Sequence, residues 1–225
     1  MGKMGVVCMS ASNIKHSKNN GTSIKACKLV KKIINKRGAN SIDVEIISLV
    51  DYDLKPCIGC GECFYSDNCV YDNDFNHIYS TIVKADALFI VSAHYAPIPA
   101  KLSIFLEKVE QLAFLKRFND ENYRSPLFDK PVGLICHGGG TEELIKYYKS
   151  LVLDPIYNAL SYPVEMKIIG VSKEQHNGVA FPVKSIKKIE ESIFPVQEYD
   201  WNDIENRLEP LVDNVIKQIK VGKRS

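Results

Sequence analysis

The sequence contains no apolar run of about 18 residues, the length that a membrane-spanning helix requires, so we expect no transmembrane segment. The first residues also lack the apolar stretch of a secretory signal, because polar residues interrupt it at once. The net charge is only +2 at pH 7, which is too small to indicate binding to nucleic acid or to a membrane. These absences together predict a globular protein of the cytoplasm.

Cysteine, in contrast, is well represented, with seven residues in the chain. Four of them, Cys57, Cys60, Cys63 and Cys69, follow the spacing C-x2-C-x2-C-x5-C, with glycines between them that allow tight backbone turns. In a reducing compartment such a cluster favours metal binding or redox chemistry over structural disulfides. The spacing therefore predicts a metal or iron–sulfur site. The other three cysteines lie in apolar surroundings and are interpreted as core residues.

Short apolar runs alternate with segments of helical periodicity along the chain. The apolar runs predict strands at 5–10, 87–92, 131–136 and 164–171, and an alternating pattern predicts a strand at 42–49. The helical periodicity predicts helices at 22–37, 74–85, 99–114, 141–160 and 201–221, with a possible kink at Asp154-Pro155. Strands that alternate with helices predict a flavodoxin-like, doubly wound sheet of five parallel strands in the order 2-1-3-4-5, with helices on both faces.

The length of 225 residues fits a single domain. We expect residues 1–171 to form the flavodoxin-like domain, with a cysteine-rich loop at 56–71. Residues 172–225 are expected to form a C-terminal extension of the same domain that ends in a helix.

The loop after the first predicted strand is rich in hydroxyl and amide side chains and contains a single glycine. Such groups suit a phosphate when a helix N-terminus with free N–H groups follows them. One glycine is too few for a dinucleotide-binding G-x-G-x-x-G or a Walker A loop. The alternative is a polar loop whose hydroxyls merely cap the helix. The candidate phosphate ligands are Ser10, Ser12, Ser17, Thr22 and Ser23.

Two further loops are predicted at the same edge of the sheet. The loop after the third strand carries His94 and Tyr95, on which a planar ring system can pack; the alternative is a capped loop with one exposed histidine. The loop after the fourth strand has three consecutive glycines before Thr141, so its backbone can approach a ligand; the alternative is a flexible loop before a helix. Because ligands of such sheets bind beyond the carboxyl ends of the strands, the three loops together predict one site.

These motifs resemble the flavodoxin-like NAD(P)H-dependent FMN reductase family and, within it, the iron–sulfur flavoproteins of anaerobes. The resemblance covers about residues 4–171 and rests on Asn20-Gly-Thr-Ser, the cysteine motif, Ser92-Ala-His-Tyr and Gly138-Gly-Gly-Thr-Glu. It implies that the first loop binds the phosphate of FMN and that the other two loops flank its ring. The FMN-binding residues implied are Ser10, Ser12, Ser17, Asn20, Thr22, Ser23, Ser92, Ala93, His94, Tyr95, Ala96, His137, Gly138, Gly139, Gly140 and Thr141.

The resemblance also implies an FMN-dependent oxidoreductase that transfers electrons between NAD(P)H or a reduced carrier and a small acceptor. Its iron–sulfur members hold a [4Fe–4S] cluster on the compact cysteines, which here are Cys57, Cys60, Cys63 and Cys69, beside the flavin of a partner subunit. The resemblance further implies that the protein forms a homodimer or homotetramer and that it exchanges electrons with a ferredoxin-like carrier. Two alternatives stay open: a metal-free FMN or quinone reductase, and a flavin-free module with structural zinc on the four cysteines.

Overall fold

The computed structural model describes residues 3–14, 21–37, 41–173, 175, 177–190 and 195–222. Its strands are β1 (Met4–Ala11), β2 (Ile42–Ser48), β3 (Ala87–Ala93), β4 (Pro131–His137), β5 (Lys167–Ile169), β6 (Val179–Phe181), β7 (Ser185–Lys187) and β8 (Val196–Glu198). Its helices are α1 (Thr22–Lys36), α2 (Cys63–Ser66), α3 (Asn73–Lys84), α4 (Ala100–Asn119), α5 (Ile145–Tyr148), α6 (Asp154–Leu160) and α7 (Trp201–Gly222).

The main sheet is parallel and has the order β2-β1-β3-β4-β5, which confirms the predicted flavodoxin-like fold. Successive side chains of a strand point to opposite faces, so β1 contributes to two separate cores. Val7 and Met9 pack with α3, α4 and α6 on one face, whereas Val6 and Cys8 pack with α1 and α7 on the other. The sheet is therefore covered on both faces, and its central strands β1, β3 and β4 are buried along most of their length.

The predicted fifth strand at 164–171 is only partly correct. The chain pairs with the first half of β4 through β5, leaves the sheet, and returns as β6 beside the second half of β4. Gly178 permits this return, because its φ is +129° and an added Cβ would lie 2.4 Å from the carbonyl oxygen of Leu134. Within the described residues, the main sheet thus has six strands where the sequence predicted five.

The helix predicted at 141–160 is observed from Glu142 to Leu160, but its hydrogen-bond pattern changes along its length. A 3₁₀ turn (Glu142–Leu144), α5, a π turn (Lys149–Leu153) and α6 follow one another. Pro155 accounts for part of this change, since proline lacks the N–H that a regular α-helical hydrogen bond requires. The short pieces shape the loop that follows β4.

The final helix α7 packs against α1 and the sheet through a stripe of buried apolar residues. Its stripe recurs at helical spacing, with Leu208, Leu211, Val212 and Val215 all buried. Among the described residues, none of the helices has the length and apolar character needed to span a bilayer.

Candidate functional site

A cleft lies at the carboxyl edge of the sheet, where β1, β3 and β4 end. Its volume of about 630 Å³ falls within the roughly 300–1,000 Å³ that is typical of small-molecule sites. Eight of the predicted site residues line it: Ser12, Thr22, Ala93, His94, Tyr95, His137, Gly138 and Gly139. The cleft therefore joins residues from all three predicted loops.

The remaining predicted residues have other positions. Six are described but do not line the cleft: Ser10, Ser23, Ser92, Ala96, Gly140 and Thr141. Two others, Ser17 and Asn20, lie outside the described residues.

The N-terminus of α1 presents its free N–H groups on the side of the cleft. Gly21 is the N-cap and provides no side-chain cap, while Thr22 begins the helix. No acidic side chain lies in the first turn, so the positive end of the helix dipole is not neutralised there. The buried hydroxyl of Ser10, near the end of β1, has no hydrogen-bond partner among the described residues. This end of the cleft has the properties of an anion site.

His137 joins the three loops into one unit. Its Nε2 atom lies 2.8 Å from Oγ of Ser23, which is buried at the start of α1. Its backbone oxygen accepts a hydrogen bond of 2.8 Å from the backbone N–H of His94. Its ring stacks on Phe181 of β6, with the centroids 5.2 Å apart. The hydroxyl of Ser23 thus orients a cleft residue and is not itself on the cleft surface.

Burial lowers the pKa of His137 to about 4, so its imidazole is neutral at pH 7. Because the pKa of an unfolded histidine is about 6.5, the unfolded chain takes up the proton first as the pH falls. We predict that acidification from pH 7 to pH 4 removes about 3 kcal/mol of the free energy of unfolding through this residue. The measurement is urea unfolding across this pH range, for the wild type and for His137→Gln.

The control for this prediction is His77→Gln, which changes an exposed histidine. That variant should keep the acid-dependent loss, whereas His137→Gln should lose most of it. Equal pH dependence in the two variants would contradict the assignment.

The glycine loop after β4 lies over Tyr148. A Cβ at Gly138 would stand 2.6 Å from the Tyr148 ring, and one at Gly140 would stand 2.5 Å from its hydroxyl. The N–H of Gly140 donates a hydrogen bond of 2.6 Å to that hydroxyl. Glycine is required at both positions because any side chain would collide with Tyr148. The same absence of side chains keeps the cleft wall flat at Gly138 and Gly139.

The loop after β3 forms the opposite part of the cleft with Ala93, His94 and Tyr95. Ser92 is buried beneath it and donates a hydrogen bond of 3.0 Å to the carbonyl oxygen of Ala93. Ala96 is exposed and has a φ of +44°, which turns the chain away from the cleft surface.

Sequence reasoning missed the part of the cleft that comes from the C-terminal segment. Pro195, Gln197 and Tyr199 line it at alternate positions in and beside β8. Their period of two was the available signal, since alternate residues of a strand share a face. Asn13, Ile14 and Gly21 from the first loop were also missed.

The four clustered cysteines line one small cavity of about 30 Å³ beside α4, together with Lys108. All four are free thiols. Burial raises the pKa of Cys63, and the neighbouring thiols raise it further. In the described residues, no group of three or more His, Cys, Asp or Glu is placed to hold a metal ion. The thiols therefore share a cavity without having ligand geometry.

This thiol cavity is separate from the cleft and shares no lining residue with it. Lys108, which lines the thiol cavity, lies eight residues after the first residue of α4. The distance along the helix axis from the start of α4 to Lys108 is therefore about 12 Å. The cysteine segment thus runs along the flank of α4, where Lys116 forms an ion pair with Asp67.

A buried ion pair holds the ends of this segment. Asp72, 1% exposed, accepts hydrogen bonds from the backbone N–H groups of Lys55 and Phe75 and from Nζ of Lys108, which is 4% exposed. Burial opposes ionisation of Asp72, but the hydrogen bonds from Lys108 and the two amides outweigh it and lower its pKa. One carboxylate therefore caps α3 and ties the segment to α4.

Comparison with known proteins agrees with this architecture. The sequence model of the NADPH-dependent FMN reductase family matches residues 4–160. An iron–sulfur flavoprotein of Methanocaldococcus jannaschii is 29% identical over 85 residues, which cover 37% of this chain and 44% of the relative. The chain thus matches less than half the length of that curated relative.

Two solved structures have the same fold at low sequence identity. RosB, solved with bound 8-demethyl-8-formylriboflavin-5′-phosphate, superposes with a TM-score of 0.60 at 12% identity, covering 99% of this chain and 81% of RosB. FerB, a flavoenzyme NAD(P)H:acceptor oxidoreductase from Paracoccus denitrificans, gives 0.58 at 15% identity, covering 96% and 97%.

Proposed function

Because the chain belongs to the NADPH-dependent FMN reductase family, we propose that its cleft binds FMN and that the protein transfers electrons from NAD(P)H to a small acceptor such as a quinone. The proposal rests mainly on one observation: the same cleft contains an anion site at the start of α1 and a flat region lined by glycines. A phosphate attached to a planar ring system requires both features.

Different residues of the chain would hold the phosphate and the ring of FMN. Ser12, Thr22 and the N–H groups of α1 receive the phosphate. The His94–Tyr95 loop and the glycine loop would hold the ring, and the glycines of the second loop present no side chains of their own there. When bound, FMN supplies the capacity to accept a hydride, while the protein supplies orientation. His137 is neutral and bonded to Ser23, so its role is to position the loops.

The activity is tested by mixing FMN-loaded protein with NADH or NADPH in the absence of oxygen. We expect the flavin absorbance to bleach with at least one nucleotide and to return when a quinone is added. A protein whose bound flavin is bleached by neither nucleotide would contradict the proposed activity.

A second proposal concerns Cys57, Cys60, Cys63 and Cys69, which we propose hold a [4Fe–4S] cluster. Four thiols facing one cavity form the donor set that such a cluster uses, and the M. jannaschii relative is named an iron–sulfur flavoprotein. Binding requires the segment to draw its sulfurs together, which the positive-φ glycines between them permit. A cluster would supply one-electron transfer to a carrier such as a ferredoxin.

The cluster proposal predicts that the four thiols act as a unit. Cys60→Ser should remove most of the iron and acid-labile sulfide from anaerobically prepared protein, because the ligands share one centre. Cys27→Ser is the matched control, since Cys27 is a buried core residue whose loss should cost about 1 kcal/mol of stability only.

The metal analysis of the wild type separates the alternatives. Iron with sulfide supports the cluster. Zinc without sulfide contradicts it in favour of a structural zinc site, and the absence of both metals favours a metal-free FMN or quinone reductase. Loss of iron in Cys27→Ser but not in Cys60→Ser would show that the ligand assignment is wrong.

We also propose that the chain forms a homodimer or larger homo-oligomer. Large apolar side chains are exposed on the cysteine segment and at the end of α4, with Tyr65 at 82% and Phe118 at 77% exposure. Ile58 and Tyr71 are also exposed and line the thiol cavity. Contiguous exposed apolar side chains are typical of interaction surfaces. Sedimentation at micromolar concentration should show a species larger than the 25.3 kDa chain, and Phe118→Glu should weaken its association. A 25.3 kDa species alone would contradict the proposal.

A further inference from the structure

The C-terminal segment builds a wall of the cleft outside the part of the chain that the family model matches. Strands β7 and β8 pair antiparallel and form a hairpin. The backbone N–H of Val183, just before the hairpin, donates a hydrogen bond of 3.0 Å to the carbonyl oxygen of Gly140. A Cβ at Gly139 would lie 3.0 Å from Nε2 of Gln197. The hairpin is thus held against the glycine loop.

Tyr199 reaches from this wall to the anion site. Its ring packs against those of Phe181 and Trp201, with centroids 6.0 and 5.7 Å away. The ring of His137 meets it edge-on at 6.5 Å. The hydroxyl of Tyr199 donates a hydrogen bond of 2.7 Å to Oε1 of Gln197. The aromatic neighbours therefore fix the ring and leave its hydroxyl at the cleft surface.

Thr22, the first residue of α1, is the other neighbour of that hydroxyl. Burial raises the pKa of Tyr199, and the nearby Thr22 hydroxyl opposes the rise. The phenol is consequently protonated at neutral pH and can donate a hydrogen bond to an anion. Both hydroxyl-bearing residues line the same cleft.

We propose that Tyr199 is a phosphate-binding residue of the flavin site, where its hydroxyl and that of Thr22 donate to the same phosphate group. The proposal rests on the proposed function, because it takes FMN as the ligand of the cleft. A phenolic proton turns freely about the C–O bond, so it can leave Gln197 for a phosphate oxygen without moving the ring. The phosphate is then bound by the α1 N-terminus on one side and by the C-terminal hairpin on the other.

The test compares FMN with riboflavin, which lacks the phosphate, in equilibrium titrations of purified full-length protein. Tyr199→Phe keeps the packed ring and removes only the hydroxyl. We expect it to weaken FMN binding about tenfold, the effect of losing a hydrogen bond to a charged group, and to leave riboflavin binding unchanged. Thr22→Val should give the same pattern. The control is Tyr162→Phe, an exposed tyrosine that does not line the cleft.

Two results would overturn the proposal while the proposed function stands: unchanged FMN affinity in Tyr199→Phe, or equal weakening of FMN and riboflavin, which would mean that the residue only packs against the cleft. Wild-type protein that binds neither ligand would overturn the proposed function, and the phosphate assignment with it.

Discussion

Replacing Asp72 with alanine is expected to lower the free energy of unfolding by about 3–5 kcal/mol, the usual cost of removing one partner of a buried ion pair. The ammonium of Lys108 would be left without its partner at 4% exposure. The backbone N–H groups of Lys55 and Phe75 would lose their acceptor as well. Urea unfolding of the purified variant measures the effect.

Asp74→Ala is the matched control for this prediction. Asp74 also accepts a backbone hydrogen bond, from Asp53 N–H, but it is half-exposed and has no buried cation as partner. It should cost about 1 kcal/mol. Adding Lys108→Met to Asp72→Ala should restore much of the stability, because an apolar side chain needs no counter-ion. Equal costs for Asp72→Ala and Asp74→Ala would contradict the importance of the buried pair.

Replacing Ser12 and Thr22 together with leucine is expected to weaken FMN binding at least about tenfold, or about 1.4 kcal/mol. The change removes two hydroxyls from the anion end of the cleft and places apolar bulk before the N–H groups of α1. Isothermal titration calorimetry with FMN measures the affinity.

Ser103→Leu is the control for the double variant, because it adds the same bulk on an exposed face of α4 away from the cleft. It should bind FMN as the wild type does. Ser23 is left unchanged in both proteins, since its hydroxyl holds His137 and its loss would disturb the fold. A folded double variant with wild-type affinity would show that the phosphate lies elsewhere.

Most of the sheet was predictable from the sequence because β1, β3 and β4 are buried on both faces. Such strands appear as continuous apolar runs. The predicted bounds of β1 to β4 coincide with the observed ones or differ from them by one residue. The fifth strand was predicted less well. One edge of β4 pairs with both β5 and β6, which have three residues each, and segments so short carry little periodic signal.

The site was predictable where a loop follows a buried strand and less so elsewhere. A serine at the start of a helix has the same sequence signal whether it faces a ligand or, like Ser23, a buried histidine. Tyr199 was missed because the hairpin before it is short and mostly exposed. The cysteine spacing predicted a metal or iron–sulfur site; the four thiols do share a cavity, but sequence spacing does not determine where the sulfur atoms point.

The central claim, that the cleft binds FMN, is tested most directly by the fluorescence of Trp201, the only tryptophan in the chain. Its ring lies 5.7 Å from that of the cleft residue Tyr199, so a flavin bound there should quench it. We predict saturable quenching at one FMN per chain, with at least about tenfold more FMN needed when Ser12 and Thr22 are replaced. Absence of saturable quenching in the wild type, or identical titration curves for the two proteins, would contradict the claim.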